Sequence, residues 1–436
     1  SVVTYFSMFA QLGIPTYAVK ACARVRNDKE ELSRVTHEIL FINLIMCALS
    51  YIVLFISIPL VPKFREEKTL IVMISSTILL TAIGVEWLYK ALEQYTYITV
   101  RSIIFKFVAL IAMFVLIHKQ SDYIIYGGIT IFASTASNLL NFINLRKVIT
   151  LKPVGGYNLK RHMKMIFIFF AMSVATTVYT NLDNVMLGFM KTNEDVGYYS
   201  AAVKIKNLTV SVVTSASTVL LPRASYYVDH GLMKEFYQIV KKTMNCIILM
   251  AVPTAVYFML FAREGILLLS GKAFMGAVLP MQIIMPTLIF MGITNVLGIQ
   301  MMIPLGMEKQ VLYSEIAGAV VDLVINLCLI PKMASAGAAI GTLVAEIVVF
   351  VWQYATLKST AKNTFADTRW LLVGMAVILS SAGSIWVKVL KIPNFCTLVL
   401  SAVLFFGIYG VVLLVGKEQL TVEIVGQCLK RVRRDK

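Results

Sequence analysis

A few charged side chains stand inside long apolar stretches of this 436-residue sequence. Asp183 and Lys204 each lie seven residues from the facing ends, Met190 and Gly197, of two consecutive apolar segments. Since a helix rises about 1.5 Å per residue, both side chains sit roughly 10 Å below one common surface. They either form a structural ion pair or face a shared polar cleft. Lys206 is about 200° around the helix from Lys204, so the two lysines point in different directions.

A second polar group occupies two later apolar segments. Asp322 and Glu346 lie about eight and ten residues from the outer ends of their segments, and therefore at similar depth in the membrane. Two carboxylates at one depth can bind a proton or Na⁺, whereas hydrogen bonds to Ser or Asn of a neighbouring helix are the structural alternative. Asn326 is one helical turn from Asp322 and is expected to share its face.

These side chains need an apolar framework of long helices to position them. Hydrophobic residues make up 58% of the chain and charged residues 14%, and the mean hydropathy is +0.80. A water-soluble domain has about 25% charged residues and cannot bury this much apolar surface in one core. The apolar runs are about 20 residues long, which is the length of a helix crossing about 30 Å of hydrocarbon. The sequence therefore predicts an all-α polytopic membrane protein.

The apolar runs predict thirteen transmembrane helices, and the short connections make neighbouring helices antiparallel. The predicted spans are 1–19, 36–60, 69–88, 101–119, 123–145, 165–190, 197–220, 243–262, 278–304, 311–330, 336–356, 370–388 and 394–415. Because the sequence opens inside an apolar run, we expect one further helix before Ser1, which would make fourteen in the intact chain.

The distribution of Lys and Arg predicts the orientation. The connections on one side of the predicted membrane have 27 of these residues, and those on the other side have ten. Cytoplasmic loops are enriched in Lys and Arg, so we expect the C-terminus in the cytoplasm. The same asymmetry accounts for the net charge of +17 without a nucleic-acid partner.

The sequence lacks the motifs of disulfide-rich, metal-binding, nucleotide-binding and hydrolytic proteins. The six Cys form no CxxC pair and the four His form no HExxH motif, so the sequence indicates neither a disulfide framework nor a metal site. No phosphate-binding GxxxxGK[ST] and no nucleophilic GxSxG sequence occurs. We expect no cofactor and no enzymatic activity, and the short connections favour a transporter.

A weak internal repeat predicts two lobes of six helices. A shift of 215 residues superposes the segments 69–88, 101–119 and 123–145 on 278–304, 311–330 and 336–356. We expect an N-terminal lobe at 1–150, a basic cytoplasmic linker at 151–164, a C-terminal lobe at 165–357, two additional transmembrane helices in 370–416 and a basic cytoplasmic tail at 417–436.

Proline and glycine mark further features of the apolar segments. Pro253 and Pro286 interrupt their spans and predict bends, because proline removes a backbone donor. Gly337 and Gly341 are four residues apart and predict a small helix face for close packing.

Several stretches resemble the polysaccharide repeat-unit flippases of the Wzx type. They occur in the expected order over almost the whole chain: FAQLGIPTY (9–17) followed by RVRND (24–28), YITVRS (97–102), NLDNVMLG (181–188), VGYYSAA (196–202), LPRAS (221–225), and Asn326 with GAAIG (337–341) and Glu346. Each motif alone is weak, because apolar helices look alike. Six in order are a strong signal.

This resemblance implies membership of the multidrug/oligosaccharidyl-lipid/polysaccharide exporter superfamily. It implies two six-helix lobes around a central cavity, with two additional C-terminal helices. It also implies transport of an undecaprenyl-diphosphate-linked oligosaccharide from the cytoplasmic to the outer leaflet of the bacterial plasma membrane, by alternating access. The surface polysaccharide would be an O-antigen or a capsule. The implied partners are this lipid-linked oligosaccharide, membrane lipids, and the polysaccharide polymerase and chain-length machinery.

The resemblance and the intramembrane charges together give the candidate site residues. An anionic diphosphate and polar sugars need cations and hydrogen-bonding groups in a wet cleft. The substrate-binding candidates are Lys204, Lys206, Arg24, Tyr179, Asn181 and Tyr199. The candidates for coupling transport to H⁺ or Na⁺ are Asp183, Asp322 and Glu346.

Two other functions remain open at this point. One is a cation-coupled multidrug exporter of the same superfamily, which would use an acidic, aromatic cavity rather than lysines. The other is a membrane component of a glycan assembly complex that transports nothing itself.

Overall fold

The computed structural model describes residues 2–61, 64–65, 68–119, 122–218, 220–390, 392–423 and 426. All regular secondary structure in these residues is helical, which confirms the predicted all-α class. Most of the predicted basic tail, after residue 426, lies outside the described residues.

The helices are named in chain order. They are α1 (Val2–Gln11), α2 (Ile14–Arg24), α3 (Lys29–Leu60), α4 (Lys68–Ile83), α5 (Glu86–Ala91), α6 (Tyr95–Leu116), α7 (Tyr123–Val148), α8 (Lys160–Met190), α9 (Asn193–Thr218), α10 (Leu220–Asp229), α11 (Met233–Leu260), α12 (Ala262–Leu269), α13 (Val278–Ile284), α14 (Thr287–Thr294), α15 (Glu308–Leu357), α16 (Ser359–Thr364), α17 (Trp370–Ile385) and α18 (Asn394–Val415). A 3₁₀ helix (Lys272–Ala277) precedes α13, a π-helix (Asn295–Met302) follows α14, and a second 3₁₀ helix (Trp386–Val389) follows α17.

Eight helices in the described residues are long and apolar enough to cross a membrane, or nine if the bent pair Lys272–Ile284 and Thr287–Met302 forms one span. This count does not confirm the predicted thirteen spans. Several predicted spans are broken into shorter helices. The predicted span 1–19 divides at Leu12 and Gly13, which both have positive φ angles of 44° and 69°, and the bent pair meets at an angle of 47° beside Pro286.

Helix α15 contains two of the predicted spans. Its 50 residues are interrupted at Ala334, where φ is 47° and ψ is −126°. The chain reverses direction at Ala334. A hydrogen bond from Gln353 Nε2 to Ser314 Oγ, 3.1 Å long, shows that the two halves lie side by side. The two arms, 308–333 and 335–357, therefore form an antiparallel hairpin, and the predicted spans 311–330 and 336–356 fall within them.

The described chain forms two compact units. Unit 1 comprises Ser1–Ser173 and Leu221–His230, and unit 2 comprises Val174–Leu220 and Gly231–Lys436. The division between the two units at Ser173 and Val174 lies within α8. The two C-terminal helices α17 and α18 belong to unit 2, where Val373 and Tyr409 pack in one apolar cluster with Leu249 of α11.

Hydrogen bonds explain why the start of α8 belongs to unit 1. His162 Nδ1 lies 2.6 Å from the Tyr17 hydroxyl, and His162 Nε2 lies 2.6 Å from Glu38 Oε2. Arg161 Nε donates to the same Glu38 oxygen at 2.8 Å. Glu38 is fully buried, so these charge-assisted bonds compensate for its lost hydration. They hold the first turn of α8 against α2 and α3.

Ion pairs hold the segment 221–230 within unit 1. Glu93 accepts hydrogen bonds from Arg26 at 2.7 Å and from Arg223 at 2.6 Å. The hydrogen bond with Glu93 raises the pKa of the Arg223 guanidinium. The Arg26 guanidinium also lies 4.0 Å from the centre of the Tyr226 ring, a cation–π contact.

Close backbone packing in unit 1 depends on Gly13. A Cβ atom at this position would lie 2.5 Å from the backbone carbon of Phe169, and the φ angle of Gly13 is 69°. Both features disfavour a side chain, because residues with a Cβ rarely adopt this backbone conformation.

We predict that Gly13→Ala lowers the stability of the protein by about 1–3 kcal/mol, through backbone strain and the clash with α8. The measurement is the thermal unfolding midpoint of the purified protein in detergent. Gly410→Ala is the matched control, because no heavy atom lies within 4 Å of a Cβ built at that position. An equal effect of the two substitutions would contradict this explanation.

Candidate functional site

The carboxylate of Asp183 is the centre of a buried polar cluster in unit 2. Asp183 is 1% exposed on α8. Its Oδ2 accepts hydrogen bonds from the hydroxyl of Tyr199 on α9 and, at 2.8 Å, from Thr342 Oγ1. Its Oδ1 accepts from Asn326 Nδ2 at 2.5 Å. Three elements of unit 2, namely α8, α9 and the α15 hairpin, therefore meet at one carboxylate.

A second carboxylate, that of Asp322, lies beside the first and is fully buried. Neither of its oxygens receives a hydrogen bond from the residues described, and the same is true of Asn326 Oδ1. Three acceptor oxygens without donors thus adjoin the Asp183 carboxylate. A buried acceptor without a donor is costly, and two neighbouring buried carboxylates repel each other.

Oxygen acceptors in this arrangement are suited to a small cation. Hard metal ions are bound by carboxylate, carbonyl and hydroxyl oxygens. A cation or a shared proton at Asp183 and Asp322 would supply the missing positive charge and relieve the repulsion. Asp183, Asp322 and Asn326 therefore form a candidate cation site, with Thr342 and Tyr199 orienting the Asp183 carboxylate.

Small residues allow the hairpin arms to approach closely enough to form this site. A Cβ built on Gly341 would lie 3.0 Å from Asp322 Oδ1 and would clash with Asn326 Oδ1. A Cβ built on Gly337 would lie 2.6 Å from the backbone oxygen of Leu329 in the other arm. The small face predicted from Gly337 and Gly341 is therefore used for packing within the hairpin.

The structure brings Glu346 and Lys206 close to the cluster. Both side chains are buried, with 2% and 4% exposed. The carboxylates of Glu346, Asp183 and Asp322 all lie near the Lys206 ammonium group. Lys206, expected from sequence to bind substrate, is thus placed among the carboxylates of unit 2.

The other expected substrate ligands are dispersed. Lys204 is exposed on α9. The ion pair with Asp183, one of the two alternatives, is not formed in the described residues, where Asp183 bonds Tyr199, Asn326 and Thr342 instead. Arg24 ends α2 and lies 3.5 Å from Asp229 in a half-exposed ion pair. The side chains of Tyr179 and Asn181 lie outside the described residues.

Tyr199, which we expected to bind substrate, lies instead in the buried polar cluster. It is 1% exposed, and its hydroxyl bonds the coupling candidate Asp183. Sequence reasoning missed Thr342 and Glu315. Thr342 gives no charge signal, but Glu315 stands within the predicted span 311–330 and is a detectable intramembrane carboxylate.

Comparison with known proteins identifies the family. Residues 1–228 match a family described as "Polysaccharide biosynthesis protein", and this is more than half of the chain. The chain belongs to the polysaccharide biosynthesis protein family. This confirms the family resemblance that the sequence motifs indicated.

Two relatives carry the description "Putative O-antigen transporter". The protein from Escherichia coli (strain K12) is 23% identical over 350 residues, which cover 79% of this chain and 83% of the relative. The protein from Shigella dysenteriae is 22% identical over 382 residues, which cover 82% of this chain and 89% of the relative.

Two solved structures share the fold. "Lipid II flippase MurJ, inward closed conformation" has a TM-score of 0.55 at 14% identity, covering 94% of this chain and 97% of that one. "Crystal structure of MATE in the straight conformation" has a TM-score of 0.64 at 13% identity, covering 82% and 87%. This member of the polysaccharide biosynthesis protein family therefore has the helical fold of these membrane transporters.

We predict that Na⁺ stabilises the folded protein through the candidate cation site. The unfolding midpoint should be higher in sodium chloride than in N-methylglucamine chloride at equal ionic strength. A ligand at about 100 times its dissociation constant adds about 2.7 kcal/mol, which corresponds to a shift of a few degrees.

Asp322→Asn should abolish this difference between the salts. Glu194→Gln should retain it, because Glu194 is exposed at the start of α9. Equal midpoints of the unsubstituted protein in both salts would show that Na⁺ does not bind there.

Proposed function

We propose that this protein moves a lipid-linked oligosaccharide across the plasma membrane, from the cytoplasmic to the outer leaflet, for the synthesis of a surface polysaccharide. The observation that carries the proposal is membership of the polysaccharide biosynthesis protein family over residues 1–228. The relatives described as O-antigen transporters and the fold shared with a lipid II flippase support it.

The chemistry of such a substrate sets the requirements for transport. A diphosphate and several sugars cannot cross hydrocarbon without cations and hydrogen-bonding groups. Lys204 is our first candidate for the diphosphate, because it is exposed on α9, whose buried residues Tyr199 and Lys206 adjoin the carboxylate cluster. The lipid tail would stay in the bilayer while the polar head moves by alternating access.

We further propose that a cation drives this movement. The candidate ion is Na⁺ or H⁺, and the residues are Asp183, Asp322 and Glu346, as the sequence suggested. The unpartnered, fully buried carboxylate of Asp322 beside Asp183 supports this role. A cation that binds one conformation better than another shifts the equilibrium between them, which is the thermodynamic basis of coupling.

Reconstitution into vesicles tests the transport proposal. We expect the protein to move a fluorescent undecaprenyl-diphosphate oligosaccharide between leaflets, measured by protection from a membrane-impermeant quencher. Asp183→Asn and Asp322→Asn should each slow transport by about tenfold or more, because they remove charge that the cation requires. Glu194→Gln should transport normally. Absence of transport by the unsubstituted protein under an imposed Na⁺ or H⁺ gradient would contradict the proposal.

The structural likeness to MATE, with a TM-score of 0.64, favours a multidrug exporter as the second candidate. The two functions require opposite charges at the substrate site. Lys204→Glu should abolish transport of the anionic lipid-linked oligosaccharide if our proposal holds. Efflux of a cationic dye that survives or rises in Lys204→Glu would instead favour the multidrug exporter.

A further inference from the structure

A polar cavity lies in unit 2, between the open end of the α15 hairpin and the carboxylate cluster. It has a volume of about 220 Å³ and is lined by α8, α14, the π-helix and both arms of α15. A water molecule occupies about 30 Å³ of liquid, so the cavity has room for roughly seven. A small cation can therefore enter with part of its hydration shell.

The lining of the cavity is acidic. Glu315 and Glu346 both contribute to the wall, and none of the described lining residues is Lys, Arg or His. Thr176 Oγ1 donates a hydrogen bond to Glu315 Oε2 at 3.3 Å, which orients that carboxylate. In a poorly polarisable surrounding, two carboxylates attract a cation and exclude an anion.

The side-chain amide of Gln353 supplies a separate indication of a positively charged ligand. Gln353 lines the cavity and is 1% exposed. Its Nε2 donates to Ser314 Oγ at 3.1 Å, while the Ser314 hydroxyl donates to the backbone oxygen of Val311 at 2.7 Å. The serine oxygen can only accept from Gln353, so the amide orientation is determined. Gln353 Oε1 is left without a donor.

An acceptor oxygen that is buried without a donor costs free energy unless a ligand supplies positive charge. Gly298 of the π-helix leaves room for this amide, because a Cβ there would lie 2.9 Å from Gln353 Nε2. π-helical turns occur often at functional sites. The backbone is thus locally adapted to place the Gln353 amide in the cavity wall.

Glu346 connects the cavity to the candidate cation site. It interacts electrostatically with Glu315 and also with Asp322. Glu315 and Asp322 are seven residues apart on one arm of the hairpin, a separation of about 10 Å along the helix axis. Glu346 therefore interacts with a carboxylate of the cavity wall, Glu315, and with a carboxylate of the candidate cation site, Asp322.

We propose that this cavity is the entrance through which a hydrated monovalent cation reaches the carboxylates of Asp183 and Asp322. Glu315 and Gln353 Oε1 bind the cation with its remaining water. Glu346 then binds it at an intermediate position before it reaches Asp322. The inference extends the coupling proposed above, and it is tested without any lipid-linked substrate.

Thiol labelling tests the charge selectivity of the entrance. Gln353→Cys is introduced into a chain whose six native Cys are replaced by Ser. The purified protein is treated with a cationic trimethylammonium-ethyl and an anionic sulfonatoethyl methanethiosulfonate. Each rate is divided by the rate of the same reagent with a free thiol in solution. After this correction the cationic reagent should react about tenfold faster or more than the anionic one, because the carboxylates concentrate cations. Adding Glu315→Gln should remove most of this preference.

A control position on the same arm of α15 distinguishes labelling within the cavity from labelling of any accessible residue. Ala355→Cys lies on the exposed side of the same arm and should show no preference for the cationic reagent. Sodium chloride should slow the cationic reagent at Gln353→Cys more than N-methylglucamine chloride at equal ionic strength. Thr294→Cys, which also lines the cavity, replaces Gln353→Cys if that variant does not fold.

Equal rates of the two reagents in the presence of Glu315, or equal protection by the two salts, would overturn the proposal. So would a cationic preference at Ala355→Cys as large as that at the cavity position. A protein that passes this test but moves no lipid-linked oligosaccharide would retain the cation entrance and refute only the proposed transport.

Discussion

The organisation of unit 2 depends on keeping buried carboxylates in an apolar surrounding. Asp183 achieves this with donors from α9 and from both arms of the α15 hairpin. The bonds from Asn326 and Thr342 join α8 to elements that are distant in sequence, and losing any of the three bonds would leave the buried carboxylate with fewer partners. Such a loss costs more than an ordinary hydrogen bond. The position of α8, α9 and the hairpin is therefore tied to one side chain, while the unpartnered Asp322 beside it leaves capacity for a ligand.

The irregular parts of the backbone make this arrangement possible. The reversal at Ala334 returns the chain so that Thr342 faces Asp183 and Asn326. The π-helix after α14 brings Gly298 against Gln353 in the wall of the polar cavity. In a membrane protein, non-helical backbone is tolerated where it is buried in protein or lines a wet cavity. Both irregularities meet this condition, and both adjoin polar residues for which we propose a function.

Helix α8 contains the polar groups of both units. At its start, His162 and Arg161 bind Glu38 within unit 1. About six turns further along the same helix, Asp183 is the centre of the polar cluster of unit 2. The residues expected to form a loop at 151–164 thus end in a helix that is fixed by hydrogen bonds. These bonds account for the assignment of the start of α8 to unit 1.

The sequence by itself determined the all-α membrane class, the family and the intramembrane charges, because these follow from apolar run length, motif order and the cost of burying a charge. Asp183, Asp322 and Asn326 were identified in this way. The tertiary structure decided which side chains meet. Depth along a helix is readable from residue number, but direction around the helix and contacts between distant segments are not. Asp183 therefore bonds Thr342 and Tyr199 rather than Lys204, and Lys206 lies among carboxylates. Glu315 joined the candidate residues only when the hairpin and the π-helix were seen to enclose a cavity.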